Sequence, residues 1–140
     1  MFFGSAGRGT IIGPQPADAG ERKALAVLYV ALLTVECLDA LGSTGRVVLD
    51  GSFLRDPLFA ALVATLRPQG DTVCNPDNYG VASGAALLAE HETRTARAPI
   101  ALEKPIDFHH LPAELSAYRR RWQELSAQHA GSKHLERSMP

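Results

Sequence analysis

Several classes of protein are argued against by what this chain has little of. It carries two cysteines, Cys37 and Cys74, far apart and not in C-x-x-C spacing. Free buried thiols suited to a reducing cytoplasm are therefore expected rather than a disulfide. Charge of one sign is not in excess: 14 Lys and Arg stand against 15 Asp and Glu, for a formal charge of −1. A nucleic-acid surface needs a basic excess to displace counterions, so no nucleic-acid partner is expected. No apolar run reaches about 18 residues, so neither a spanning helix nor a membrane partner is expected. Met1-Phe2-Phe3 lacks the charged flank and apolar region of a signal peptide. No G-K-[ST] follows Gly4, Gly7 and Gly9, which favours an irregular lead-in over a phosphate loop. No third metal-ligand candidate stands at the right spacing from His109-His110, so those are read as surface histidines. What the chain does have is apolar content, 46% of 140 residues, which is enough for the core of one domain.

In chain order, residues 1–17 form a Gly- and Pro-rich lead-in, with Thr10-Ile11-Ile12 as a possible edge strand. Asp18-Ala19-Gly20-Glu21 is a capping-box pattern that opens a helix from about Ala19 to Leu41. Leu25, Leu28, Leu32, Val35 and Leu38 recur at three and four residues and give it one apolar face. Val27, Val30, Ala31 and Leu33 widen that face, and Gly42 is the natural stop. Glu36 and Asp39 are read as its solvated edge. Arg46–Asp50 is a strand apolar enough to be central in a parallel sheet. Gly51-Ser52 turns the chain, and Asp56-Pro57 opens a helix whose apolar face is Leu58, Phe59, Leu62, Val63 and Leu66. Arg67-Pro68 ends it and Thr72–Asn75 is a second strand, which completes a right-handed βαβ unit.

After the loop Pro76–Tyr79, Gly80 to Ala89 is a helix of small residues. Gly84 within it costs about 1 kcal/mol relative to alanine, which suggests close packing on a neighbour. Pro99 and Pro105 make residues 93–111 an extended connector. Residues 112–127 form a last helix, with Leu115, Tyr118, Trp122 and Leu125 in one stripe and Arg119-Arg120-Arg121 largely off it. Residues 128–140 are expected to be a flexible tail.

A glycine between an apolar strand and a helix is where an α/β protein brings its backbone close to a ligand. No G-x-G-x-x-G follows the first strand, where D-G-S-F-L-R-D stands instead, so a small Rossmann-type dinucleotide- or methyl-donor-binding enzyme is disfavoured. The pair V-V-L-D-G-S-F-L-R-D-P-L-F and G-V-A-S-G-A-A-L-L-A resembles the C-terminal end of the FGGY family of carbohydrate kinases. The long helix with E-R-K-A-L-A-V-L-Y and the opening G-R-G-T-I-I-G fit the same resemblance, which covers about residues 7–127. It implies an α/β fold: part of an actin-like ATPase, or ribonuclease-H-like, lobe with a short parallel βαβ sheet packed by helices. Residues 18–92 would be the partial ATP-binding lobe.

By that resemblance Gly51 and Ser52 take the place of paired small residues whose main chain faces the adenosine. Phe53 lies in the same turn, and Asp56 stands where a polar residue, usually Asn, lies near the adenine. Ser52 replaces a second glycine of the family pattern. Gly80 and Gly84 match small residues that let the last core helix pack closely. ATP and Mg2+ are the implied cofactors, with the metal site outside this chain. The family's D-x-G-T phosphate loop, second phosphate loop, catalytic Asp and most of the sugar site find no match here. The expectation is a nucleotide-binding fragment or remnant of a cytoplasmic sugar kinase, with one wall of the pocket and no catalytic base of its own. Its partners would be the missing N-terminal lobe or a second copy, with sugar bound only in the full-length context. The alternative is a non-catalytic α/β interaction module that self-associates or pairs with a separate N-terminal lobe, because a lone half-lobe leaves sheet edges and apolar helix faces uncovered.

Overall fold

Two parallel strands and the helix between them carry the fold. A computed structural model describes residues 11–76, 80–89, 92, 101–108 and 114–136. The chain divides into two compact units, one of residues 23–109 and one of residues 1–22 with 110–140.

Helix α1 spans Ala19–Ala40. The Asp18 carboxylate accepts from the Glu21 amide at 2.8 Å. Glu21 reaches back one residue further than a capping box requires, accepting from the Ala17 amide at 2.7 Å. At the other end Gly42 has φ 65°, the Ser43 amide donates to the Leu38 carbonyl, and the Gly42 amide donates to that of Asp39. This is a Schellman closure, which the sequence announces through Gly42. Ala31, Leu32 and Val35 are buried, and Leu25, Val27, Leu28, Val30 and Leu38 are half-buried. Leu33, expected to widen the apolar face, is exposed.

Strand β1 spans Val47–Leu49 and β2 spans Thr72–Cys74. They pair in parallel, with Val47 opposite Thr72 and Leu49 opposite Cys74. The helix between them, α2, runs from Pro57 to Leu66. Phe59, Ala60, Ala61, Leu62, Val63 and Leu66 are all buried, so α2 is covered on nearly every side and forms the middle of the core. The place expected for β1 is corrected. Among the described residues β2, not β1, lies inside: Cys74 also exchanges backbone hydrogen bonds with Glu103 at 2.7 and 2.9 Å in an antiparallel bridge. β1 has β2 as its one strand neighbour there, and Val48 is 49% exposed. An all-apolar strand signals burial on both faces only when enough sheet surrounds it.

The same unit holds α3, Gly80–Ala89, none of whose residues is buried. A Cβ on Gly84 would meet nothing within 4 Å, so the close packing expected at that glycine is not found among the described residues. At the opposite end of the sheet Asp71 binds Arg46 at 2.5 Å and also Lys104. Lys104 first and Arg46 second hold its carboxyl below the usual carboxylate range. Arg67 is buried beside Gly70 and donates to the Ser43 carbonyl at 2.9 Å. Both cysteines are free and half-buried rather than fully buried. Burial, and then the Glu103 carboxylate, push the Cys74 thiol up.

In the other unit α4 spans Leu115–Glu136, with Leu115 buried and Arg121 within 3.4 Å of Glu124. The helix does not stop at Ala127. Gln128, Lys133, Leu135 and Glu136 are good helix formers, and Gly131 alone is too weak a break to end it. Ile11 and Ile12 lie exposed and outside any strand. Thr10, Gly4, Gly7, Gly9, the loop at Tyr79, Pro99, His109, His110 and Pro112 fall outside the described residues.

Candidate functional site

Gly13, Gly42 and Gly51 take positive φ among the described residues, and Gly51 is the one at the carboxyl end of a strand, β1. Gly51 has φ 95° and ψ −169°. That region is close to closed to any residue with a Cβ. Space is not the constraint, since a Cβ there would meet nothing within 4 Å. The main chain at Gly51 is therefore bent and open on the side where a side chain would stand.

Ser52–Arg55 then wind into one turn of 3₁₀ helix, with the Leu54 amide donating to the Gly51 carbonyl at 3.1 Å. The sequence reading has the Gly-Ser turn but not this extra turn, which places four residues between the glycine and the helix cap. Ser52 is exposed. Phe53 is 59% exposed, and its ring sits 5.4 Å from that of Phe59, tilted by 39°. One edge of Phe53 is thus anchored to the core while much of it faces outward.

Asp56 closes the turn and is engaged twice. Its carboxylate accepts from the Leu58 amide at 3.1 Å, with Pro57 in the first helical position. It also pairs with Lys23 of α1 at 2.8 Å. The hydrogen bond from Lys23, with that of the Leu58 amide, holds the Asp56 carboxyl below its ordinary value against a smaller opposing effect of burial. Capping and pairing account for this side chain in full.

The four residues named from the sequence, Gly51, Ser52, Phe53 and Asp56, thus lie on one turn. Three further residues complete it. The Asp50 carboxylate accepts from the Gly51 amide at 2.6 Å and from the Asn75 side-chain amide at 3.3 Å. The first residue of α3, Gly80, lies so close that a Cβ there would be 2.1 Å from Asp50 Oδ2. Register would have found Asp50 and Asn75: Leu49 is opposite Cys74, so the next residues of both strands leave the sheet side by side. Lys23 had no signal beyond its place in the first turns of α1.

An adenine nucleotide fits this turn as one wall: an open glycine main chain, an exposed hydroxyl and a partly exposed aromatic ring. For Mg2+ the fit is lacking, because among the described residues no group of three or more His, Cys, Asp or Glu could hold a metal.

The sequence model of the family described as carbohydrate kinase FGGY, C-terminal domain, matches residues 3–98. The chain belongs to that family. Among solved structures it is similar to a carbohydrate kinase from Novosphingobium aromaticivorans, at 32% identity and a TM-score of 0.60 over 83% of this chain. No match was found among the curated proteins. The architecture is part of an actin-like ATPase lobe, with the short parallel sheet expected of it. The chain spans 24% of the length of the Novosphingobium kinase. Among the described residues no helix is long and apolar enough to cross a membrane.

Proposed function

We propose that this FGGY C-terminal segment is the nucleotide-binding portion of an ATP-dependent carbohydrate kinase and is not catalytic alone. Residues 18–92 are its partial ATP-binding lobe. Gly51 and Ser52 offer main chain to the adenosine, Phe53 offers an apolar ring beside it, and Asp56 holds the turn in place. The observation that carries this reading is the Gly51 backbone, held in a glycine-only conformation with open space before it, at the carboxyl end of a parallel strand. Ligands in open α/β sheets lie beyond the carboxyl ends of the strands. Phosphoryl transfer needs a base, a metal and phosphate-positioning groups besides the nucleotide wall. In this reading those, and the sugar, belong to the rest of the kinase. Mg2+ would be held there, and the protein would work in the cytoplasm, a setting that suits the two free thiols.

A single wall binds weakly, with a dissociation constant on the order of 1 mM. Titration of ATP into the isotopically labelled chain should give saturable shifts in the amides of Gly51, Ser52, Phe53 and Asp56, and Gly51→Val should abolish them. A folded chain whose amides at the turn stay unmoved up to about 10 mM ATP would overturn the reading.

A second reading is favoured by α3. Val81 is 92% exposed and Leu88 74% exposed on a helix with no buried residue. Such a face fits a chain that pairs with a separate N-terminal lobe or with a second copy, as a non-catalytic interaction module.

A further inference from the structure

We propose that Asp50 is a positioning residue for this turn: its carboxylate latches the Gly51 main chain to the end of β2 and the start of α3. The proposal rests on the nucleotide reading of the turn. Asp50 is exposed at the end of β1, so burial does not explain it. One oxygen takes the Gly51 amide at 2.6 Å and the other takes the Asn75 side-chain amide at 3.3 Å. The second oxygen also lies against Gly80, close enough that a side chain there would have to displace the carboxylate. Three chain segments therefore meet at one carboxylate, and the one whose shape matters is the glycine turn.

The turn needs such a device. A glycine with no Cβ has a wide choice of φ and ψ, and freezing it in one conformation costs entropy. A hydrogen bond to a charged acceptor is stronger than a neutral one and offsets that cost. Asp50 thus acts through Gly51, with no contact to the nucleotide of its own.

The charge of Asp50 makes the test discriminating. A carboxylate near a nucleotide repels its phosphates, so removing a mere charge would tighten ATP binding. Removing a latch would weaken it. In Asp50→Ala the expected result is about tenfold weaker ATP binding, with faster exchange of the Gly51 amide and unchanged exchange at Val63 in the core. The double variant D50N/N75D keeps the net charge and exchanges donor for acceptor between the two side chains. It should restore part of the ATP binding and of the Gly51 protection, since the amide then meets a neutral oxygen, and a general loss of stability would restore neither. Unchanged or tighter ATP binding in Asp50→Ala overturns the proposal, and so does an equal acceleration of exchange at Val63. If the unaltered chain binds no ATP, the nucleotide reading fails separately and the latch is decided by exchange alone. Faster Gly51 exchange in Asp50→Ala that D50N/N75D partly reverses then supports the latch, and unchanged exchange overturns it.

Discussion

Replacing a helical glycine by alanine normally favours a helix by about 1 kcal/mol, and at Gly80 the displacement of a neighbouring carboxylate offsets part of that gain. An alanine Cβ would lie 2.1 Å from Asp50 Oδ2, so the exposed carboxylate must shift and its bonds to the Gly51 amide and Asn75 are disturbed. Gly80→Ala is expected to gain less than Gly84→Ala, which has nothing within 4 Å of the new methyl and should raise stability by about 1 kcal/mol. Urea melts of the two variants side by side read the difference directly. Asp56 gives a second residue-scale expectation. Its carboxyl is held low by Lys23 and the Leu58 amide, so the unfolded chain takes up this proton first as pH falls. The stabilisation is complete above about pH 4 and is lost as acid carries the group through its lower folded value. Asp56→Ala should cost about 1 kcal/mol at neutral pH through the lost cap. Lys23→Ala should cost about 0.5 kcal/mol or less, because the lysine is largely exposed. Below about pH 3 the gap between Asp56→Ala and the parent chain should narrow, and thermal melts at pH 7 and pH 3 check it.

Elements differ in how much of them a sequence can announce, and the difference follows from where their contacts lie. α1 is legible because its start, stripe and stop are local: Asp18, the leucines three and four apart, and Gly42. The cap at Asp56-Pro57 is legible for the same reason. The central place of β2 was not, because it depends on Glu103, far along the chain in a stretch with no strand pattern of its own. Nor was the Asp50–Asn75 contact at the candidate site, which follows only once the strands are in register. The exposure of α3 was missed because small residues and a mid-helix glycine signal close packing without saying that the partner is in the same chain. α2 and α3 make this measurable, since both are ten residues long and strongly apolar. Leu62→Ala in α2 removes a side chain from the middle of the core and should cost about 2–5 kcal/mol. Leu88→Ala in α3 removes an exposed one and should stay within about 0.5 kcal/mol. Equal losses in denaturant melts would mean that α3 is buried in solution, by a second copy or by a rearranged chain.

At the scale of the whole molecule, the described residues leave apolar surface exposed. Among the described residues β1 has a strand on one side alone, and Val48 on it, with Val81 and Leu88 of α3, is exposed in a chain that matches about a quarter of a related kinase by length. An unpaired strand edge and an apolar helix face both gain by association. Burying side chains the size of valine or leucine is worth about 1.5–3 kcal/mol each, so covering Val81 and Leu88 alone can shift an association constant by tenfold or more. The isolated chain should therefore associate with itself in a concentration-dependent way, read as a rising mean mass in sedimentation equilibrium. The double variant V81E/L88E should weaken that association at least tenfold while leaving the melting temperature of the dilute chain nearly unchanged, since neither side chain is buried within it. A chain that stays monomeric at high concentration, with the variant behaving identically, would show that α3 needs no cover and would remove the main support for an interaction module. Association abolished by the variant and equally by an added N-terminal kinase lobe would show both partners competing for α3, which is the outcome the interaction-module reading requires.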